Sequence, residues 1–197
     1  MHIPTRPRTS LVALFLVGLL ILPACGVPTP LANSIPVAAS ATIAPTPSTP
    51  PDWFNIRMTD VLTGQTFSMN DFSGKVVLVE TMAEWCITCI EQQIEVKKMQ
   101  ALAGGSKDLV HVSLDTDLNE DAASLKDYAN SYGFDWYFAI SPLEADRAFA
   151  NLYTPEFMNP PLAPMLFIDR QSGVHSLPYG LKRANALQNT LAPFLTP

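Results

Sequence analysis

Two cysteines three residues apart, Cys86 and Cys89, are the side chains of this sequence best suited to chemistry. They stand where an apolar run, Val76-Val77-Leu78-Val79, passes through Glu80 and Trp85 into a helical pattern that ends near Leu102. At such a strand-to-helix junction, backbone N–H groups without intrahelical partners and the positive end of the helix dipole favour a thiolate over a thiol. That is the chemistry of thiol–disulfide exchange. Cys86, at the helix start and expected to be the more exposed, is the candidate nucleophile; Cys89, one turn in, is the candidate resolving thiol. The same spacing also permits a permanent structural disulfide or half of a zinc site. Zinc needs two further ligands, and His111 and His175 lack ligand spacing, so no metal is expected.

Glu80 is the next residue of interest, six positions before Cys86 in an otherwise apolar strand. Strand alternation places Leu78, Glu80 and Met82 on one face, which encloses the carboxylate near the helix start. Burial of an unpaired carboxylate raises its pKa, which suits a group that takes and returns the Cys89 proton. The competing description is a strand-end glutamate that reaches solvent. His111 is expected as a satisfied polar residue in a strand and His175 in an exposed hairpin, neither with a catalytic role. Glu84 is expected as a solvated charge, and the methionines as core or loop fillers rather than a copper box.

The elements that must hold these residues follow from periodicity and turn chemistry. Trp53 to Lys75 reads as a β-hairpin about Gly64, and Val76 to Met82 as a buried strand. A helix from about Cys86 presents Ile90, Ile94 and Leu102 on its apolar side and stops at Gly104-Gly105. Leu109 to Leu114 is a strand. Asn119 to Tyr132 is a helix with Ala122, Leu125 and Ala129 inward and Gly133 as its stop. Trp136 to Ile140 is a short strand. Ser141, Pro142 and Glu144 form a capping box that opens a helix to about Leu152. After a proline-containing loop come a strand at Pro164 to Asp169, a turn, its partner at Val174 to Tyr179, and a final helix built on Ala184, Leu187, Leu191 and Phe194. This order gives one α/β domain with a mixed central sheet flanked by helices.

Composition divides the chain. Seven of the 18 prolines lie between Gly26 and Pro51, and residues 1–51 contain no acidic residue. From Asp52 on there are 10 basic and 18 acidic residues, a net of −8, so the domain has no electrostatic footprint for nucleic acid. At the N-terminus, Arg6 and Arg8 precede a 12-residue apolar stretch, Leu11 to Leu22, too short to span a bilayer but right for a signal peptide. Leu22-Pro23-Ala24-Cys25 follows and resembles the lipobox of bacterial lipoproteins, in which the cysteine becomes lipidated and N-terminal. An ordinary cleaved signal or an uncleaved anchor are the alternatives. The expected organisation is a lipoprotein-type signal at 1–25, a Pro/Ala/Ser/Thr-rich tether at 26–51 reaching on the order of 30 Å if flexible, and a folded domain at 52–197. Lipid on Cys25 leaves two cysteines for the redox pair, which removes the oddity of three.

From Asp52 to about Phe194 the chain resembles thioredoxin-fold proteins, and within them the TlpA/ResA-like membrane-tethered thiol–disulfide oxidoreductases. Val77 to Cys89 is similar to the thioredoxin active-site segment, with Ala-Glu-Trp-Cys intact at 83–86. Pro164 to Asp169 resembles the cis-proline strand, and the N-terminal hairpin and the α/β segment near residues 119–140 resemble the TlpA-like elaboration. The resemblance implies a redox-active Cys86–Cys89 disulfide with no other cofactor, a buried acid at Glu80, and Trp85 beside the cysteines. It also implies a cis bond at Pro164 that exposes the Ala163 backbone to an extended substrate segment. Ile87 and Thr88 replace the pairs usual between the cysteines, and Met165 replaces a common threonine. These positions touch the redox pair in the family and leave its potential and partner open.

The resemblance implies an extracytoplasmic enzyme acting on exported proteins with cysteine pairs, such as apocytochrome c, and re-reduced by a membrane thiol carrier of DsbD/CcdA type. An alternative is a copper chaperone for respiratory-oxidase assembly that uses the cysteines as soft ligands together with a histidine or methionine. Such proteins more often have three residues between the cysteines. A peroxiredoxin is a weaker match, because Ala83 stands where its pattern needs Thr or Ser.

Overall fold

In the computed structural model, residues 50–195 are described; the expected signal peptide, Cys25 and all but the end of the tether lie outside them. A five-stranded sheet organises the domain: β3 (Val76–Met82), β4 (Leu109–Asp115), β5 (Tyr137–Ile140), β6 (Met165–Ile168) and β7 (Val174–Ser176). Their order across the sheet is β5-β4-β3-β6-β7. Strands β3, β4 and β5 are parallel, whereas β6 and β7 are antiparallel to their neighbours. Every residue of β3 is buried, as a central strand covered on both faces requires. A two-stranded hairpin, β1 (Met58–Thr59) and β2 (Thr66–Phe67), precedes the sheet. Buried Asp60 joins it to β5: its carboxylate accepts the amides of Leu62, Thr63 and Phe138, while Val61 N–H donates to the Phe138 carbonyl.

Alternation along β3 and β4 sends side chains to two different layers. Val77, Val79, Val110 and Val112 join Leu166 and Ile168 under an aromatic layer that includes Trp53, Phe54, Phe149 and Phe157. On the other face, Val76 and Leu78 pack with Val96 and Met99 of α1 (Ile87–Leu102) and with Leu187 and Leu191 of α4 (Ala184–Leu195). The same face continues through Met82, Cys86 and Cys89 to Leu125, Tyr128 and Ala129 of α2 (Ala122–Tyr132) and to Phe134, Trp136 and Phe138.

Several sequence expectations need correction. Helix α1 buries Cys89, Gln92, Gln93, Glu95, Val96 and Met99, whereas Ile94 and Leu102 are exposed. The polar side faces inward because it has partners there. Gln92 receives the Lys182 amide at 2.7 Å and donates to the Lys182 carbonyl, and Glu95 receives the Ala184 amide at 2.8 Å. These bonds hold the entry to α4 and satisfy groups that would otherwise be costly to bury. In α2, Tyr128 rather than Ala122 faces inward; Asp121 caps the start and Gly133 the end, at φ 62°. Helix α3 (Leu143–Tyr153) begins one residue later than expected, with Pro142 at its cap. Ser141 Oγ donates to the Asp146 carboxylate instead of closing a capping box.

Candidate functional site

Cys86 and Cys89 are joined by a disulfide, with Cα atoms 5.2 Å apart. Cys86 is the N-cap of α1, and its sulfur accepts the Cys89 amide at 3.1 Å. The Ile90 amide bonds the Cys86 carbonyl at 3.2 Å. When the disulfide is reduced, the same amide and helix end favour charge on Cys86 Sγ. The carbonyl oxygen of Pro160 lies 3.3 Å from Cys89 Sγ. Contrary to the expected asymmetry, the two cysteines are equally enclosed, each 2% exposed. Cys86 packs with Met82, Ala83 and the aromatic cluster of the α2–β5 region, so the cap position does not put it on the surface.

Around them the chain is exposed. Trp85 is 59% and Ile87 73% exposed, and Thr88 is half-buried. The Trp85 indole donates to Asp117 at 2.6 Å. A groove beside it is lined by Trp85, Leu118, Met158 and Pro160. Trp85 is therefore a surface residue held in place by one hydrogen bond, rather than a ring packed into the core.

Glu80 is buried, as alternation required. It accepts from Gln93 Nε2 at 2.9 Å and from Ser113 Oγ at 2.6 Å. Burial pushes its carboxyl up to about 7, against the downward pull of these two bonds and of the Lys182 charge. Gln93 lies one turn beyond Cys89 on α1 and accepts the Tyr128 hydroxyl; Ser113 accepts the Trp136 indole. His111 completes the polar island, with Nε2 3.5 Å from Glu80 Oε1 and its ring 4.6 Å from that of Trp136. It is not the satisfied strand histidine expected, since neither ring nitrogen has a hydrogen-bond partner. Burial holds it neutral, with its pKa pushed down to about 3.

The cis-proline expectation is corrected. No peptide bond among the described residues is cis, and Ala163 before Pro164 takes a left-handed conformation, φ 44°, ψ 57°. Nor is the Ala163 backbone free for a substrate. Its amide donates to the Pro160 carbonyl at 2.8 Å, its carbonyl accepts Lys182 Nζ at 2.5 Å, and the residue is buried. Ala163 caps the short turn at residues 160–162, whose first residue, Pro160, sets its carbonyl against Cys89. Lys182 was invisible in the sequence. It is an ordinary loop lysine until folding places its ammonium on the carbonyls of Ala163 and Gly180. Burial holds its pKa down to about 8, and Glu80 opposes that shift. Glu84 was expected to be a solvated charge; its Oε1 is instead sealed from solvent, near Asp115 and Glu120. Burial, then the Glu120 carboxyl beside it, pushes Asp115 up to about 8.

A parallel βαβ carrying a dithiol at its helix start, completed by an antiparallel ββα, defines a thioredoxin-like protein. The chain belongs to the Redoxin family, whose match spans residues 42–169. With the Cys86–Cys89 disulfide, this makes it a thiol–disulfide oxidoreductase. No curated protein matches the sequence. Among solved structures it is similar to a thioredoxin-family thiol:disulfide interchange protein from Chlorobium tepidum, at 22% identity and TM-score 0.56, over 76% of this chain and 99% of that one. It is also similar to the thioredoxin domain of a thiol-disulfide oxidoreductase from Bacteroides vulgatus, at 20% identity and TM-score 0.56, over 72% and 93%. A SCO1/SenC family lipoprotein from Bacillus anthracis matches at 19% identity and TM-score 0.58, also over 72% and 93%. At these identities the likeness concerns the fold.

Proposed function

We propose that the protein is an extracytoplasmic, membrane-tethered oxidoreductase of TlpA/ResA-like type that exchanges its dithiol with exported proteins containing cysteine pairs. The observation that carries this is Cys86 at the cap of α1, its sulfur receiving the Cys89 amide. The Cys86 thiolate attacks a substrate disulfide, forming a mixed disulfide and releasing one substrate thiolate. Cys89, deprotonated, then attacks Cys86 Sγ; the second substrate thiolate leaves, and two electrons have passed to the substrate. Glu80, with a carboxyl near neutrality, takes the Cys89 proton. Both hydrogen bonds from Gln93 and Ser113 are received at Oε1, which leaves Oε2 to carry the proton.

Because the cysteines are enclosed, the partner docks on Trp85, Ile87 and Thr88, and the chain packed around Cys86 must give way for a substrate sulfur to reach it. Apocytochrome c is a partner of the right chemistry. A membrane thiol carrier of DsbD/CcdA type restores the dithiol, and lipid on Cys25 with the 26–51 tether keeps the domain at the membrane. The copper-chaperone alternative needs a third soft ligand. His111 lies against Glu80 and Trp136, and His175 against Asp169 and Phe167, so neither histidine is placed for it.

The test is disulfide exchange with a peptide that carries one disulfide. Cys86→Ser abolishes turnover, and Cys89→Ser accumulates a mixed disulfide through Cys86 that mass spectrometry detects. Equal activity of Cys86→Ser and wild type would overturn the assignment. The midpoint potential gives the direction of electron flow: near about −270 mV it acts as a reductant, near about −120 mV as an oxidant. Cys25→Ser releases the protein from the membrane fraction if lipid is the anchor.

A further inference from the structure

Three carboxylates from three segments converge next to the redox helix. Asp115 ends β4, Glu84 lies between β3 and Cys86, and Glu120 precedes α2. One oxygen of each lies within 4.8 Å of the others. Acidic residues often gather on surfaces without consequence, but here a second observation points inward. Asp115 is fully buried. Its Oδ1 accepts the Asp117 amide at 2.9 Å, while its Oδ2 is sealed from solvent and receives no hydrogen bond. Glu84 Oε1 is likewise sealed and without a donor. Glu120 uses Oε2 to accept the Glu84 amide at 2.8 Å, which fixes its carboxylate over the other two.

The charges that act on Glu84 are Glu120, Asp121 and Asp127, and those that act on Asp115 are Glu120 and Glu84, all acidic; the Ser124 hydroxyl is a neutral partner of the Glu84 carboxyl. Two sealed carboxylate oxygens facing a third carboxylate are costly to bury together unless a positive charge sits among them. We propose that Glu84, Asp115 and Glu120 bind one hard divalent cation, of which calcium fits best. Calcium accepts carboxylate oxygens at about 2.3–2.6 Å in flexible geometry, so oxygens across one ion stand at most about 5 Å apart. The observed spacing falls inside that limit. Magnesium demands near-ideal octahedral geometry and keeps several of its own waters, so it suits a dedicated three-carboxylate set less well, and an all-oxygen site does not suit copper or zinc. The cation holds the turn that leads into Trp85 and Cys86 to the ends of β4 and α2. Its competitor is a proton shared between Asp115 and Glu120.

The test uses the full-length chain in detergent, stripped of metal and titrated with calcium or magnesium chloride by calorimetry and by thermal unfolding. The expected result is one calcium per chain, a Kd in the range of about 10⁻⁵–10⁻³ M, and a Tm raised by about 3–6 °C at ten times Kd. Asp115→Asn keeps the acceptor for the Asp117 amide and loses at least tenfold in affinity. Glu120→Gln keeps the acceptor for the Glu84 amide, shows the same loss, and serves alone if Asp115→Asn does not fold. Three results would overturn the proposal. One is no calcium response of wild type up to about 10 mM, tenfold beyond the weakest extracellular calcium modules. Another is undiminished affinity in both variants. The third is an Asp115→Asn protein that is more stable than a wild type indifferent to calcium, which assigns the site to the shared proton.

Discussion

The two faces of the central sheet are built on opposite terms. Under Trp53, Phe149 and Phe157, the cluster takes Val77 and Val79 from β3 and Val110, Val112 and Leu114 from β4, all of them apolar. Under α1 and α2, the same two strands turn Glu80, His111 and Ser113 inward, and Gln93 and Tyr128 come down to meet them. The first face follows the rule that burial of apolar area stabilises. The second accepts a buried carboxyl and an unpartnered imidazole beside the helix that carries the disulfide, a cost characteristic of sites rather than of cores. The difference teaches where stability and chemistry are held: loss on the apolar face should unfold the protein without retuning it, and changes on the polar face should retune it while leaving it folded.

Phe149→Ala makes the largest break. Phe149 is fully buried against Trp53, Tyr153 and Phe157, and its truncation is expected to cost about 3–5 kcal/mol. Urea unfolding reads that loss, while the Cys86–Cys89 midpoint potential stays put; a shifted potential would show that the two faces are coupled.

Glu80→Gln should do the reverse. A carboxyl whose folded pKa is raised, here from 4.5 to about 7, binds its proton more tightly in the native state. Wild-type stability attributable to it therefore falls as pH rises from about 4.5 through 7. The glutamine variant escapes that loss and is expected to be more stable at pH 8 by on the order of 3 kcal/mol, with no advantage at pH 4. Its disulfide exchange is expected to slow several-fold. Exchange rates equal to wild type from about pH 6 to 9 would remove Glu80 from the mechanism.

His111 has the opposite sign. Its folded pKa is pushed from 6.5 down to about 3, so the unfolded chain binds the proton first and stability falls as pH drops below 6.5. His111→Leu is expected to remove that fall and gain about 2 kcal/mol on wild type at pH 5. Parallel urea midpoints for the two proteins between pH 7 and pH 5 would mean that the imidazole is not buried neutral.

The smallest thermodynamic effect belongs to Trp85→Ala. An exposed ring with one hydrogen bond should change stability by less than about 0.5 kcal/mol. Exchange with a protein substrate is nonetheless expected to weaken several-fold through KM, while exchange with a small disulfide is unaffected.

Much of the frame was legible in the residues. Continuous apolar character marked β3 as central, Gly133 ended α2, and the position of Cys86 before a helical pattern marked a thiolate site. Alternation alone placed Glu80 inside, because a strand offers only two faces and Leu78 and Met82 claimed one of them. The inward side of α1 was misjudged for an instructive reason. Ile90, Ile94 and Leu102 have helical spacing, but Gln92 and Glu95 have partners 90 and 89 residues away and Gln93 has partners 13 and 35 residues away, none of which a local pattern reveals.

The sequence by itself thus determined the class of chemistry and the strand and helix that carry it, since both depend on neighbours along the chain. Tertiary structure alone decided what surrounds that chemistry. It brought Lys182 to the Ala163 carbonyl, Pro160 to Cys89, His111 to Glu80, and Asp115 and Glu120 to Glu84. Each is a contact between segments distant in sequence, and the electrostatics of a buried group depend on what folding places within a few ångströms of it.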